Sequence, residues 1–243
     1  MIILRSLLFN VLFFGYTAMT ALWLTPRLLA RDADIKPQVK RWAGGVLWLL
    51  DHVAGITYVL RGVEHIPEGG ALIAAKHQSA WDTMMFHRFV PHSIYVTKQE
   101  VTRIPFYGAV ARSIGSISID RQGGAKALKG LIRDCRAALE DGHQVIIFPE
   151  GTRAAPGTSL PYQPGVAAIY KQTGFPVVPV ALNSGLFWGR RAFFKQPGCI
   201  VVEFLPAIQP GLDRKEFLSQ LERRIEDATA ALIAEAAGTH SGP

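Results

Sequence analysis

Cysteine is nearly absent from the 243-residue chain: Cys135 and Cys199 lie far apart, with no C-x-x-C spacing. That excludes a disulfide-stapled scaffold and a cysteine zinc site, and it suits a reducing compartment. No G-x-S-x-G elbow occurs either, so a serine nucleophile of the hydrolase kind is missing. Charged residues make up only 19% of the chain against 49% hydrophobic, which excludes an extended disordered polymer. Acidic residues are the scarcer sign, 19 Asp+Glu facing 26 Lys+Arg for a formal charge of +7. With a mean hydropathy of +0.18 and a pI near 9.6, this balance points to an anionic membrane surface or an anionic substrate. The basic residues Lys126, Lys129 and Arg133 come with no nucleic-acid motif, so nucleic acid is not expected as a partner. His87 and His92 follow His77 without the carboxylate spacing of a metal site, and no metal is expected.

What the chain has in excess is apolar sequence at its beginning. Ser6 to Thr25 is uncharged, with Asn10 its most polar member. Twenty helical residues make about 30 Å, the thickness of a bilayer's hydrocarbon core. Arg5 precedes this run and Arg27, Arg31, Lys36, Lys40 and Arg41 follow it, a bias that would keep the following chain cytoplasmic. A cleaved signal peptide needs a small-residue site, and the nearest stretch, Leu29 to Ala33, carries Arg31 in its middle. A buried core helix would be long for such uniform hydrophobicity. The remaining reading is membrane attachment, as a span or lying in one leaflet, with Trp23, Trp42 and Trp48 suited to the interface. A second apolar stretch, Ala43 to Leu60, reads as an interfacial or docked helix running into a strand. Residues 1–57 are thus expected to form an anchoring region and residues 58–243 an α/β domain.

After Tyr58, short β-branched runs alternate with amphipathic segments. Strands are expected at Ile56–Arg61, Ala71–Lys76, Ser93–Thr97, Ser116–Asp120, Gln144–Phe148, Val177–Leu182 and Ile200–Phe204. Leu128, Leu131, Ile132, Cys135 and Leu139 share one face of a helix over Ala125–Leu139. Phe217, Leu221, Ile225, Ala228 and Leu232 mark another helix, before a frayed tail from Gly238 to Pro243. Strands alternating with helices predict an α/β layer architecture. Cys135 on the helix stripe and Cys199 at a strand entrance read as core residues.

His77 follows the strand ALIAAK, and Asp82 lies five positions on, in HQSAWD. A turn between them lets the carboxylate meet the far nitrogen of the imidazole, fix its tautomer and leave the near nitrogen to take a proton from a hydroxyl. Downstream, a strand runs into Phe148-Pro149-Glu150-Gly151-Thr152-Arg153. The proline stops the strand, the glycine permits a tight turn, and the guanidinium fork suits a phosphate; a turn closed by a Glu150–Arg153 pair is the plainer alternative. Lys98 and Arg121 also stand at strand ends, and three such cations could converge on an anion or remain solvated. Backbone N–H groups near Gly151 or after His77 are candidate oxyanion donors. Phe187, Trp188, Gly189, Arg190 and Arg191 form an aromatic-basic cluster, read as a lipid-facing loop or a solvated turn.

HQSAWD, GSISIDR, FPEGTR and VVPVALNS, in this order between His77 and Ser184, resemble the four motif blocks of the 1-acylglycerol-3-phosphate O-acyltransferase family. The resemblance implies a mixed sheet flanked by helices, with a hydrophobic helical anchor. It implies transfer of a fatty acyl group from acyl-CoA or acyl carrier protein to the 2-hydroxyl of a lysophospholipid, giving phosphatidic acid at the cytoplasmic face of a bacterial-type inner membrane. By the same resemblance His77 is the general base and Asp82 its orienting partner. Gly115 and Arg121 of the second block, Glu150, Gly151, Thr152 and Arg153 of the third, and Lys98 hold the acceptor, while Pro179 of the fourth shapes the acyl wall. No cofactor is implied beyond the acyl thioester itself. Ala154, where many members have serine, bears on headgroup choice, and another lyso-lipid such as lyso-ornithine lipid or lysophosphatidylglycerol is the alternative acceptor. Thioester hydrolysis and noncatalytic lipid binding are the alternatives from other classes.

Overall fold

The computed structural model describes residues 1–30 and 34–239; Arg31, Ala33 and the tail from His240 lie outside the described residues. The elements in chain order are α1 (Ile2–Ala30), α2 (Lys36–Leu49), β1 (Ile56–Arg61), β2 (Ala71–Ala75), α3 (Ala80–Phe89), β3 (Ser93–Lys98), α4 (Gln99–Thr102), α5 (Tyr107–Ser113), β4 (Ile117–Ile119), α6 (Gly124–Glu140), β5 (Gln144–Ile147), α7 (Pro164–Thr173), β6 (Val177–Leu182), β7 (Gly198–Phe204) and α8 (Arg214–Thr239). All seven expected strands form, with ends shifted by two residues at most. The second apolar stretch divides as expected: α2 runs on through a single π-helical turn, Leu50–Ala54, and Gly55 in the left-handed region ends it before β1.

One seven-stranded sheet runs in the order β1-β7-β6-β2-β5-β3-β4. Every neighbouring pair is parallel except β6 with β7, so the sheet is mixed. The central strand β2 is buried at all five residues, as a parallel strand covered on both faces must be. One face packs α1, α2 and α3 through Phe9, Ala43, Val46, Trp81 and Phe86. The other packs α6, α7 and α8 through Cys135, Leu139, Ile169, Phe217 and Leu221. Because β2, β3, β4 and β5 are parallel, their carboxyl ends share one edge. The loop ends that follow them carry His77, Lys98, Arg121 and the Pro149–Arg153 turn, so the topology itself gathers the residues the sequence scattered.

The helix α1 is long and apolar enough to cross a membrane, and only 11% of its most apolar window is buried. It nevertheless keeps a stripe against the domain along much of its length. Arg5 donates to the Val53 carbonyl at 2.8 Å, Ser6 and Phe9 are buried, and Leu24 packs with Ile35 and Ile114. Phe187 and Trp188 are buried, and Trp188 lies under this helix, edge-on to Phe9 and Phe13 at 5.5 and 5.8 Å between ring centroids. Neither expectation for that cluster holds at its aromatic half: these rings are buried rather than facing lipid or water.

Lys195 completes the seat, at 2% exposure. Its Nζ donates to Asn10 Oδ1 and to the carbonyls of Ala192 and Phe193, and its backbone N–H donates to Ser6 Oγ. Asn10, the most polar member of the apolar run, thereby has a partner. Burial pulls the Lys195 ammonium down to about 8. The folded value then lies below the ordinary lysine value near 10.5, so in between the unfolded chain binds more protons and stability rises with pH. Relative to Lys195→Met, the wild-type protein is expected to gain thermal stability between about pH 7.5 and 9.5. A difference that stays flat across that range, measured by thermal denaturation in one detergent, overturns this account of Lys195.

Candidate active site

His77 leaves the end of β2, and the next residues turn directly into α3. Ser79 caps that helix, its Oγ accepting from Trp81 N–H at 3.1 Å, while Asp82 reaches back to the N–H groups of Gln78 and Ser79 at 2.8 Å each. This is a reciprocal capping box, S-x-x-D, and the same Asp82 Oδ2 accepts from His77 Nδ1 at 2.9 Å. Asp82 is wholly buried and His77 is 8% exposed. With Nδ1 committed to the carboxylate, Nε2 is left as the acceptor nitrogen. The ring is further fixed by stacking on Phe148, 4.0 Å between centroids.

His77 lines a cavity of about 1160 Å³. Its lining combines the polar and cationic side chains of Lys98, Arg121, Thr152, Arg153, Arg190 and Arg191 with Thr17, Leu24, Val39, Trp42, Val110 and Ile114 from α1, α2 and α5. The third block is tied to the first by the Ala154 N–H, which donates to the His77 carbonyl at 2.8 Å. Gly151 has φ +68°, and a Cβ there would stand 2.4 Å from the Arg121 guanidinium. The glycine is therefore required by its backbone, and a side chain there would also push the Arg121 guanidinium aside. Burial pulls the Arg153 guanidinium below its ordinary value; nearby Asp82 acts in the opposite direction, and Arg190 adds to the lowering. Among the described residues no carboxylate lies within 4 Å of Lys98, Arg121, Arg153 or Arg190; Asp120 is the one acidic residue in the lining, so the cavity carries an excess of positive charge.

Of the expected residues, His77, Lys98, Arg121, Gly151, Thr152 and Arg153 meet in this cavity, with Asp82 behind His77. Gly115, Glu150 and Pro179 do not line it. Gly115 turns the chain into β4 at φ +81°, and Pro179 sits inside β6, paired with Ala74 of β2. Glu150 points into the protein and binds Lys76 Nζ at 2.8 Å, with a second contact from Leu160 N–H. The turn is thus closed neither by a Glu150–Arg153 pair nor by a substrate contact from Glu150. Burial pushes its carboxyl up, partly offset by Lys76. Among the expected oxyanion donors, the Gln78 and Ser79 N–H groups are engaged by Asp82 and the Gly151 N–H by the Phe148 carbonyl.

Sequence reasoning missed Arg190 as a cavity cation, although it had marked the basic cluster, and it missed His87. His87 lines the cavity as a neutral imidazole, pulled down to about 4 by burial, with Nδ1 2.9 Å from Ser93 Oγ. No group of three or more metal-ligating side chains occurs among the described residues. Cys135 is buried in the helical core, its thiol pushed up to about 12 by burial, and neither cysteine lines the cavity.

Residues 58–183 match the family model described as Acyltransferase. The chain is 36% identical over 197 residues to the 1-acyl-sn-glycerol-3-phosphate acyltransferase of Pseudomonas aeruginosa, covering 81% of this chain and 77% of that protein. A protein of the same name from Limnanthes alba is 32% identical over 167 residues, 68% of this chain and 58% of the relative. The crystal structure of the 1-acyl-sn-glycerophosphate (LPA) acyltransferase PlsC from Thermotoga maritima superposes with a TM-score of 0.80 over 96% of this chain and 98% of that one. At 21% identity, that likeness establishes the fold.

Proposed function

This chain belongs to the acyltransferase family, and from that premise we propose that it transfers a fatty acyl group from an acyl thioester to the free 2-hydroxyl of 1-acylglycerol-3-phosphate, giving phosphatidic acid. One observation carries the reading: the His77–Asp82 pair opens into a single cavity lined by both a set of cations and a set of apolar side chains. A lysophosphatidic acid, with a phosphate and an acyl chain, needs both kinds of lining. Lys98, Arg121, Arg153 and Arg190 take the phosphate, and the walls from α1, α2 and α5 take acyl chain. His77 Nε2 accepts the proton of the acceptor hydroxyl as its oxygen bonds to the thioester carbonyl carbon. The carbon–sulfur bond then breaks, and His77 returns the proton to the departing thiol. A thiol is a good leaving group, so no acyl-enzyme is needed, and the phosphate contacts supply the orientation.

Residues 1–57 act as membrane anchor and residues 58–243 as acyltransferase domain, although α1 and α2 also wall the cavity. Contacts from Arg5 to Leu24 support α1 lying in the cytoplasmic leaflet beside the domain rather than leaving it to span the bilayer. The anionic membrane surface and the donor, acyl-CoA or acyl carrier protein, complete the set of partners.

Mass spectrometry of products from a mixed pool of lyso-lipids, offered with acyl-CoA and then with acyl carrier protein, tests the reaction. Phosphatidic acid is expected to dominate. Preferential acylation of lyso-ornithine lipid or lysophosphatidylglycerol overturns the acceptor, and free fatty acid released without acceptor points to a hydrolase. In the same assay Arg153→Ala is expected to raise KM for the phosphorylated acceptor about 10–100-fold, the range of one lost charged hydrogen bond. An unchanged KM removes Arg153 from the phosphate site.

A further inference from the structure

Asp82 has both carboxylate oxygens engaged. Oδ2 accepts from His77 Nδ1 and from two backbone N–H groups of its own loop, whereas Oδ1 accepts from the Ser184 hydroxyl at 2.6 Å. Ser184 lies 102 positions away in sequence, just past β6, and is wholly buried. We propose that Ser184 is a positioning residue for the His77–Asp82 pair, holding the second oxygen of the carboxylate so that the first stays on the imidazole. This rests on the acyl-transfer reading above.

The terminal torsion of an aspartate is soft, and donors on one oxygen alone leave the carboxylate plane loosely set. A donor on Oδ1 fixes that plane, and at 2.6 Å it falls in the short range of an O–H···O⁻ bond. The hydroxyl is itself rigidly carried. The Ser184 carbonyl accepts from the N–H groups of Phe187 and Trp188 at 3.1 and 2.9 Å, and Gly185 N–H donates to Gln78 Oε1 at 3.1 Å. One residue earlier, Asn183 Oδ1 accepts from Val201 N–H at 2.8 Å. The turn is thus bonded to β7 on one side and to the HQSAWD block on the other. Because Trp188 packs under α1, that helix and the carboxylate behind His77 share a support.

The full-length protein is assayed with 1-acylglycerol-3-phosphate and acyl-CoA as wild type, S184A and S184C. The cysteine fills the volume of the hydroxyl but is a weak donor. In S184A kcat is expected to fall about 10–100-fold, as when an outer-shell partner of a ligating histidine is removed, with KM for both substrates within about twofold. S184C falls between S184A and wild type, and it carries the test if S184A does not fold. The acid limb of the kcat profile moves to higher pH in both variants, because a carboxylate that has lost one donor draws the His77 proton more strongly. A pure packing role leaves that limb in place. Turnover of S184C within twofold of wild type, or an unmoved acid limb, overturns the role of Ser184. Wild-type protein that forms no phosphatidic acid overturns the acyl-transfer reading itself.

Discussion

Replacing His77 with alanine is expected to lower kcat by about 10²–10⁴-fold, the contribution typical of a positioned general base, with circular dichroism unchanged. The fold survives because Asp82 does not depend on the imidazole. Its carboxylate still caps α3 through Gln78 and Ser79 N–H and still accepts from Ser184, so no buried anion is stranded. The stacking of His77 on Phe148 is the packing lost. Binding of the acceptor, measured as its dissociation constant, stays close to wild type, because the groups that take the phosphate are the cations and not the imidazole. A folded His77→Ala protein that turns over within tenfold of wild type would exclude His77 as the base.

The second large effect is on stability. Lys76 is 1% exposed, and its Nζ is shared by Glu150 Oε1, both oxygens of Glu226 and the Thr158 carbonyl at 2.8–3.0 Å. Tyr162 closes the cluster by donating to Glu226 at 2.9 Å. Lys76→Met strands Glu150, whose side chain is 1% exposed and cannot reach water, whereas Glu226 at 21% can. Breaking a buried pair from one side costs about 3–5 kcal/mol, which for a chain of this size lowers Tm by roughly 6–20 °C. Glu150→Gln in the Lys76→Met background is expected to recover much of that loss, because the stranded charge is gone. A single variant that melts within about 2 °C of wild type, or a double variant no better than the single, overturns the assignment of this cluster as a stabilising ion pair.

Much of the architecture was legible because period and composition report it directly. β2, β5 and β6 read as continuous apolar runs, and α6 as a clean apolar stripe. The convergence of His77, Lys98, Arg121 and Arg153 was less legible, since it depends on which strands lie parallel and adjacent; the order β2-β5-β3-β4 is a tertiary fact. HQSAWD shows how one signal can hide another. Read for chemistry, it yielded His77 and Asp82, yet S-x-x-D before a helix is also a capping signature, and it would have located α3. Glu150 was misplaced for a different reason. Its place in FPEGTR gave no sign that Lys76, 74 positions earlier, would turn the carboxylate inward. Ser184 stood at the end of a recognised block, but a hydroxyl after a buried strand carries no local mark of the aspartate it meets.

The partners of Lys76 also set an order of events during synthesis. Glu150 lies 74 positions after Lys76 and Glu226 lies 150 after it, on the last helix of the chain. While the ribosome is still translating, α1 and the His77 strand have already emerged, but the carboxylates that neutralise the lysine beside His77 have not. The long apolar helix has thus left the ribosome long before the strand that leads to His77 has its full set of bonds, and a nascent chain stopped short of α8 would present that helix with Lys76 still lacking one of its two carboxylates.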